Sequence, residues 1–334
     1  MPLSPLAIAP RIAERSRLLN DTRCADELGH YRILLPERFR VVDREVRVPT
    51  NEHSPVSVAL MRTLDEPRTE LEIVGLFLRR EVAPADVLGA LLHEHTILEE
   101  RRVPSPGGEL LDVLTRKVGD EPYLSRWWTV KDGGAGGGRL YVLEGRVAQA
   151  AYPAVADELA TMLASFQLVN PTPWDYFEQL TSLAQKTPND ILCFYPESWQ
   201  LTVASDGAEG PYIAHLWQVL GQQLLGRMTV MSMSGADAPE QALEAYSGTQ
   251  GAPIQWGPME PRAPFGGLDT AWTARGTSSL DDSSVEVSAH IGQRSGSTIV
   301  LGLAGIPSSV DALAASTLRR ALEVVRDTFR IAPA

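Results

Sequence analysis

Two short segments of this sequence repeat one pattern 160 positions apart. Residues 34–39 read LLPERF and residues 194–199 read FYPESW, so each contains an apolar pair, Pro-Glu, a polar residue and an aromatic ring. Similarity that recurs at a fixed distance indicates a duplicated structural unit. The chain has 334 residues, which exceeds the usual size of a single hydrophobic core and leaves room for two units.

Three further pairs of segments follow in the same order, at distances from 155 to 163 positions. The pairs are VAPADVLGAL at 82–91 with DAPEQALEAY at 237–246, PGGELLDVLTR at 106–116 with FGGLDTAWTAR at 265–275, and LASFQLV at 163–169 with VRDTFRIA at 325–332. The ordered set predicts a tandem duplication, with residues 29–170 as the first domain and 190–334 as the second. Residues 171–189 are predicted to link the domains. Residues 1–28 form a leading segment, whose prolines confine any helix to Arg11–Asn20.

Each copy has the pattern of an antiparallel sheet with helices. A strand that ends in Pro-Glu is followed by a second apolar strand, at 71–78 or 227–233. A helix comes next, with Pro84 or Pro239 in its first turn, where a missing amide hydrogen costs nothing. A Gly-Gly pair, further strands and a closing helix complete the copy. The fold class predicted is therefore α+β, as two tandem copies of an antiparallel sheet flanked by helices.

The closing helix of each copy carries an apolar stripe at spacings of three and four residues, which is typical of a helix that packs on a core. The stripes are Val155, Leu159, Met162, Leu163 and Phe166 in the first copy, and Leu318, Ala321, Leu322, Val325 and Phe329 in the second. Ser308 and Asp311 are spaced as a capping box at the start of the second helix. Both helices are predicted to pack on their sheets.

Charge and hydropathy exclude two classes of partner. The net charge is −12 and both copies are acidic, whereas nucleic-acid binding needs clustered Lys and Arg. The start of the chain lacks the apolar core of a signal peptide, and the most apolar run, residues 297–307, is too short to span a bilayer. We therefore expect a cytoplasmic protein without stable membrane insertion. Cys24 and Cys193 occupy different places in the two copies, which favours buried free thiols.

No catalytic, cofactor-binding or metal-binding signature is evident. The sequence contains no GxSxG, P-loop, HExxH or CxxC motif. DGGAGGGR at 132–139 lacks phosphate-binding spacing and precedes a strand pattern, so it is interpreted as a hairpin connection. His93 and His95, with Glu99 nearby, would diverge on a helix and are a poor metal ligand set. We expect no catalytic residue, cofactor or metal.

Several strands are apolar at both odd and even positions, which predicts that both faces of each sheet are covered. One face would be covered by the closing helix. The other would be covered by the remaining helix, by the partner domain or by a bound apolar segment. Large aromatic and methionine side chains on the strands are predicted to contact a partner: Trp127, Trp128, Tyr141, Trp217, Met231, Met233 and Trp272.

The order of these motifs resembles the PsbP/Mog-like fold, and within it the DcrB-like domains and the Eag-type chaperones of bacterial type VI secretion. The matching residues are LLPERF, FYPESW, LASFQLV and RDTFRIA. The resemblance implies a protein without enzymatic activity that acts as an adaptor or chaperone and binds an apolar or transmembrane segment of a secreted effector. Fusion of two copies would give an intramolecular pseudo-dimer. Two alternatives stay open, a regulator of a nucleotide-binding protein and a small-molecule enzyme or carrier.

Overall fold

A computed structural model describes most of the chain and divides it into two compact units. The first unit comprises Met1–Arg79 and Ala83–Glu178, and the second comprises Arg80–Val82 and Gln179–Ala334. The described residues are 3, 6–23, 27–42, 55–104, 110–118, 122–134, 137–172, 174–186, 189–208, 210–235, 238–280, 283–294 and 296–331.

The described residues of the first unit form three α-helices and ten strands. The helices are α1 (Pro10–Ala13), α2 (Pro84–Leu91) and α3 (Tyr152–Ser165). The strands are β1 (Ser16–Asp21), β2 (Tyr31–Pro36), β3 (Phe39–Val41), β4 (Val56–Thr63), β5 (Thr69–Leu78), β6 (Thr96–Val103), β7 (Leu110–Lys117), β8 (Tyr123–Asp132), β9 (Gly138–Ala148) and β10 (Gln167–Leu168).

In the second unit, the part of the chain that the structure describes forms two α-helices and eleven strands. The helices are α4 (Pro239–Gly248) and α5 (Ala312–Thr328). The strands are β11 (Leu180–Gln185), β12 (Ile191–Pro196), β13 (Trp199–Asp206), β14 (Tyr212–Leu220), β15 (Gln223–Ser234), β16 (Ile254–Trp256), β17 (Glu260–Arg262), β18 (Thr270–Leu280), β19 (Ser283–Arg294), β20 (Ser297–Gly305) and β21 (Arg330–Ile331).

Both units have the same strand order. Each has a small sheet, β1-β2-β10 in the first unit and β11-β12-β21 in the second. Each also has a large sheet, in the order β3-β4-β5-β9-β8-β7-β6 or β13-β14-β15-β20-β19-β18-β16, and the second unit adds β17 beside β18. Neighbouring strands are antiparallel throughout the described residues. The protein is thus two tandem copies of an α+β fold in which antiparallel sheets are flanked by helices.

The first strand of each small sheet lies outside the domain ranges expected from the sequence. Strand β1 falls in the segment 1–28, and β11 falls in the segment 171–189. Each pairs along its whole length with the strand that ends in Pro-Glu, β2 or β12. Both strands are largely exposed and lack clear alternation, which is why the sequence pattern did not reveal them. The helix expected within Arg11–Asn20 is corrected accordingly, because α1 ends at Ala13 and β1 follows.

Both closing helices pack on their sheets, and all ten residues of the two apolar stripes are buried. Glycines on the sheet allow this close contact. A Cβ at Gly145 would lie 2.7 Å from the Leu159 side chain, and a Cβ at Gly305 would lie 2.3 Å from the Leu318 side chain. The start of α5 differs from the expected capping box. Asp311 is the N-cap and accepts the Ala314 amide at 2.9 Å.

The opposite face of each large sheet is covered by the shorter helix. In the second unit, Ala242, Leu243 and Tyr246 of α4 form a buried cluster with residues of β15, β18, β19 and β20. Gly302 permits this packing, since a Cβ there would lie 2.2 Å from the Tyr246 ring. In the first unit, α2 packs on β7 and β8. Both short helices begin with the proline expected from the sequence.

Truncation of a stripe leucine should destabilise either unit. Leu159→Ala and Leu322→Ala each leave a cavity beneath a closing helix, and we expect each to reduce the free energy of unfolding by about 2–5 kcal/mol. Leu313, an exposed leucine of α5, provides the control, and its replacement by alanine should cost less than about 1 kcal/mol. Chemical denaturation measures all three values. Equal effects of Leu322→Ala and Leu313→Ala would contradict this packing.

Candidate functional site

Helix α5 covers only part of its sheet. It packs on β12, β15 and β20, and on that face β19 and β18 lie further out. His290 of β19 is opposite Leu301 of β20, whose side chain packs in the core cluster beneath α5. Directly opposed residues of an antiparallel pair project to the same face, so His290 and its other neighbour, Thr273 of β18, face the same side as α5. The side chains of these outer strands form the floor of an open cleft.

The cleft has a volume of about 940 Å³, which is within the range of ligand-binding sites. Its floor is formed by Thr273, Arg275, Glu286, Ser288 and His290 of β18 and β19. Helix α5 forms one wall, with the apolar residues Ala315, Leu318 and Leu322. The segment that joins β17 to β18 closes one end with Pro264 and Phe265. The site is therefore a concave surface of the second unit, between a helix and a sheet.

Charged side chains account for much of the lining. Four arginines and three carboxylates contribute: Arg262, Arg275, Arg319, Arg326, Glu286, Glu323 and Asp327. Several are paired locally. Arg326 Nη2 lies 2.7 Å from Asp327 Oδ1, and Ser308 donates its hydroxyl to Glu286 Oε1 at 3.1 Å. The lining of the cleft contains both ionic and apolar groups, so the cleft suits a ligand that has ionic or polar groups as well as apolar ones.

The polar floor corrects one expectation from the sequence. Residues 285–291 read VEVSAHI, and Val287, Ala289 and Ile291 are buried against the α4 side, whereas Glu286, Ser288 and His290 line the cleft. This is the period-two alternation of a sheet with one wet face. The expectation that both faces are covered holds for β20, but it does not hold for β19. The alternation was the signal that sequence reasoning missed.

His290 is the histidine of the floor. Burial lowers the pKa of its imidazole from the usual 6.5 to about 4, and the Arg326 guanidinium acts in the same direction. The imidazole of His290 forms no hydrogen bond with another described residue. At neutral pH the ring is therefore uncharged, and it offers one donor and one acceptor nitrogen to a ligand in the cleft.

Of the seven side chains predicted to contact a partner, Trp272 is on a strand of the cleft, but it lies opposite Ile291 and therefore projects to the α4 side of the sheet. The three in the first unit lie elsewhere. Trp127 is buried on the other face of its sheet, where its indole donates to Thr115 Oγ1 at 2.9 Å. Tyr141 is buried in the core against Phe166, and Trp128 packs against the same core cluster. These aromatic side chains are structural elements of the first unit.

The remaining three predicted residues are in the second unit, on the α4 side of the sheet. Met231 is buried in the cluster beneath α4, and Met233 packs against that cluster. Trp217 lies under Arg227, whose guanidinium carbon is 5.2 Å from the ring centroid. The seven residues therefore do not form one surface. Their size reflects core packing, which sequence reasoning could not distinguish from a binding face.

Two other groups were singled out in the sequence, the histidines that follow α2 and the two cysteines. Helix α2 ends at Leu91, so His93 and His95 lie in the turn after it and not on the helix. The His95 ring contacts Thr115 Oγ1 at 3.1 Å and the edge of Trp127. Cys193 is a free, buried thiol whose pKa is raised by burial to about 12, while Cys24 lies outside the described residues.

The comparisons with known proteins give weak similarities. No protein-family model and no curated protein matches the chain. The chain is similar to LpqN of Mycobacterium tuberculosis, described as involved in cell envelope biogenesis, with 18% identity over 46% of this chain and 91% of LpqN, at a TM-score of 0.32. Cyanobacterial PsbP from Synechocystis gives 17% identity over 46% of this chain and 92% of that protein, also at 0.32.

A third similarity extends over both copies. The T6SS immunity protein TplEi of Pseudomonas aeruginosa is 12% identical over 96% of this chain and 98% of its own, at a TM-score of 0.24. PsbP, to whose fold the sequence motifs pointed, is thus among the proteins that the chain resembles. All three TM-scores are low, so none of these similarities indicates a function for this chain. Among the described residues, no helix is long and apolar enough to cross a membrane.

The lowered pKa of His290 predicts a pH dependence of stability. In the unfolded chain the imidazole takes up a proton as the pH falls below its usual pKa of 6.5, whereas folded His290 stays neutral until about 4. The free energy of unfolding should therefore decrease between these pH values. His290→Gln removes this contribution and should reduce the decrease, as measured by urea denaturation at about pH 7 and about pH 5.

The exposed His93 supplies the control for this experiment. His93→Gln should retain the pH dependence of the unmodified protein. An equal decrease in the free energy of unfolding from about pH 7 to about pH 5 in His290→Gln and in His93→Gln would show that burial of the His290 ring does not control this response.

Proposed function

We propose that this chain is a non-catalytic binding protein that holds a segment of a partner protein in the cleft of the second copy. The supporting observation is the open concave surface between α5 and the outer strands β18 and β19. Pro264 and Phe265 give it apolar surface for a hydrophobic side chain, and its polar floor can hydrogen-bond the backbone of a bound segment. The biological role that fits this activity is that of a cytoplasmic adaptor, with an effector of type VI secretion as the partner suggested by the sequence resemblance.

The mixed lining favours an adaptor over a chaperone that shields a transmembrane segment. A fully apolar helix would cover Arg275 and Glu286 without offering either a hydrogen-bond partner, which costs free energy. A segment with both polar and apolar groups avoids this cost. Because charged groups contribute, affinity for the partner should decrease as ionic strength rises.

A second candidate, a small-molecule carrier or enzyme, is favoured by one observation. His290 lies in the same cleft as Glu286 and Glu323, which is a common combination in binding and catalytic sites. A catalytic histidine, however, is usually oriented by a hydrogen bond to a nucleophile or carboxylate. His290 has no such bond to a described residue, so a protein segment is the preferred ligand.

Blocking the cleft tests the proposed function. Ser288→Trp places a large side chain on the floor of the cleft, and Ser284→Trp places the same side chain at an exposed position of the same strand. Peptides selected by display against the unmodified full chain should bind Ser288→Trp at least about ten-fold more weakly, a loss of about 1.4 kcal/mol. They should bind Ser284→Trp with unchanged affinity. Calorimetric titration measures these affinities, and circular dichroism verifies that both variants are folded.

Two results would contradict this function. Selected peptides that bind Ser288→Trp and the unmodified protein equally well would place protein binding elsewhere. A small molecule that co-purifies with the unmodified protein and is absent from Ser288→Trp in native mass spectrometry would favour the carrier.

A further inference from the structure

The first copy shows how one residue, Leu3, occupies the corresponding place. Leu3 is buried beside α3, in a cluster with Leu114 of β7, Leu124 of β8 and Leu159 of α3. These elements are the counterparts of β18, β19 and α5, between which the cleft of the second copy lies. The chain itself therefore covers, in the first copy, the region that is open in the second.

Two side chains of the edge strand β6 hold the backbone of Leu3. The Leu3 amide donates to Glu99 Oε2, and Arg101 Nη2 donates to the Leu3 carbonyl oxygen at 3.3 Å. Glu99 and Arg101 are two residues apart, so both project to the α3 side of the strand. A carboxylate and a guanidinium thus satisfy both backbone groups of one buried residue, and we call this pair the first clamp.

The second copy has the same combination at the edge of its sheet. Glu260 and Arg262 are two residues apart on β17, which pairs with β18. Arg262 lines the cleft, and its Nη2 atom lies 2.7 Å from Glu260 Oε2. Both side chains are exposed, and an exposed ion pair contributes little stability. The backbone of a bound segment could therefore replace the contact between Glu260 and Arg262 at a small cost in free energy. We call this pair the second clamp.

No described residue of the second copy covers the cleft as Leu3 covers the first copy, and the chain that precedes this copy packs in the first unit. The residues before β11 pack beside the turn between β8 and β9. The Thr172 amide donates to Asp132 Oδ1 at 2.7 Å, and Lys131 Nζ lies 4.2 Å from the centroid of the Phe177 ring. A Cβ at Gly133 would lie 2.3 Å from the Tyr176 carbonyl oxygen, so this contact requires glycine. The segment before β11 corresponds in position to the segment before β1. It packs in the first unit and is therefore not placed in the cleft of the second copy.

We infer that the cleft of the second copy binds an extended segment of a partner protein in the manner in which the first copy holds Leu3. One leucine-like side chain of the partner enters the cleft beside Phe265, over its floor. Its amide donates to the Glu260 carboxylate, and its carbonyl oxygen accepts from the Arg262 guanidinium. This inference rests on the proposed function and adds the chemistry of the partner, an apolar side chain on an extended backbone.

A peptide with the sequence of residues 1–12, MPLSPLAIAPRI, is the direct probe, because its third residue is the leucine held in the first copy. Labelled peptide is titrated into the full chain and followed by fluorescence anisotropy. We expect saturable binding that Arg262→Ala and Glu260→Gln each weaken by about five-fold, the usual effect of one lost hydrogen bond. Replacing the third residue of the peptide by aspartate should abolish binding.

Arg68→Ala is the matched control, since Arg68 forms an exposed ion pair with Glu66, also two residues away, at 3.4 Å. It should leave peptide binding unchanged. Absence of saturable binding, or equal affinities for Arg262→Ala and the unmodified protein, would overturn the inference. Loss of binding in Arg101→Ala with no effect in Arg262→Ala would also overturn it, because the peptide would then compete for the first clamp.

Two further outcomes separate this inference from the proposed function. If display-selected peptides depend on Ser288 but the probe does not depend on Arg262, the cleft binds protein and the clamp is rejected. Self-association in analytical ultracentrifugation that Arg262→Ala removes would assign the cleft to a second copy of this chain, and the inference of a separate partner would be rejected.

Discussion

The contact between leucines of the closing helices and glycines of the large sheets determines how much of each sheet is covered. Leu159 lies against Gly145, and Leu318 lies against Gly226 and Gly305. Side chains at these glycines would collide with the helices, so each helix is seated close to the sheet over the middle strands. A helix about 10 Å wide cannot also cover the outer strands of a seven- or eight-stranded sheet. An uncovered region on that face follows from this seating in both copies.

The uncovered region is closed in the first copy and open in the second. In the first copy, Leu3 covers it, and Arg126 and Asp112 form a fully buried ion pair with two contacts of 3.0 Å. Breaking such a pair leaves a buried charge without a partner, so this side of the first copy is closed and costly to open. In the second copy, the corresponding strands carry Glu286 and His290, which are compatible with solvent or a ligand. The duplication therefore produced one closed and one open version of the same fold.

The sequence predicted the fold better than the site. The repeated landmarks and the helical stripes predicted two copies of one α+β fold, because period and order survive divergence. Strands β1 and β11 were missed because their side chains are mostly exposed and give no alternation. The site was missed because large side chains were given more weight than small polar ones. Tyr141 and Met231 fill cores, whereas Ser288 and His290 line the cleft.

Part of the site was beyond single-sequence reasoning altogether. Glu99 with Arg101, and Glu260 with Arg262, are ordinary charged pairs in the sequence, and Glu99 and Arg101 bind Leu3, which is almost a hundred positions away. Only the pairing of the strands shows that each pair lies at the edge of a sheet and faces a closing helix. Side-chain direction in a strand follows from register, and register is a tertiary property.

The aromatic segment before β11 has a consequence for any attempt to separate the two copies. Phe177 and Glu178 are buried within the first unit, although the repeat in the sequence would place them ahead of the second copy. A chain cut before residue 171 would leave the turn at Gly133 uncovered and would give the second fragment an exposed Phe177 at its start. A cut after Glu178 keeps this ring with its partners. Proteolytic dissection or separate expression of the halves should therefore follow this boundary, since an apolar end favours aggregation.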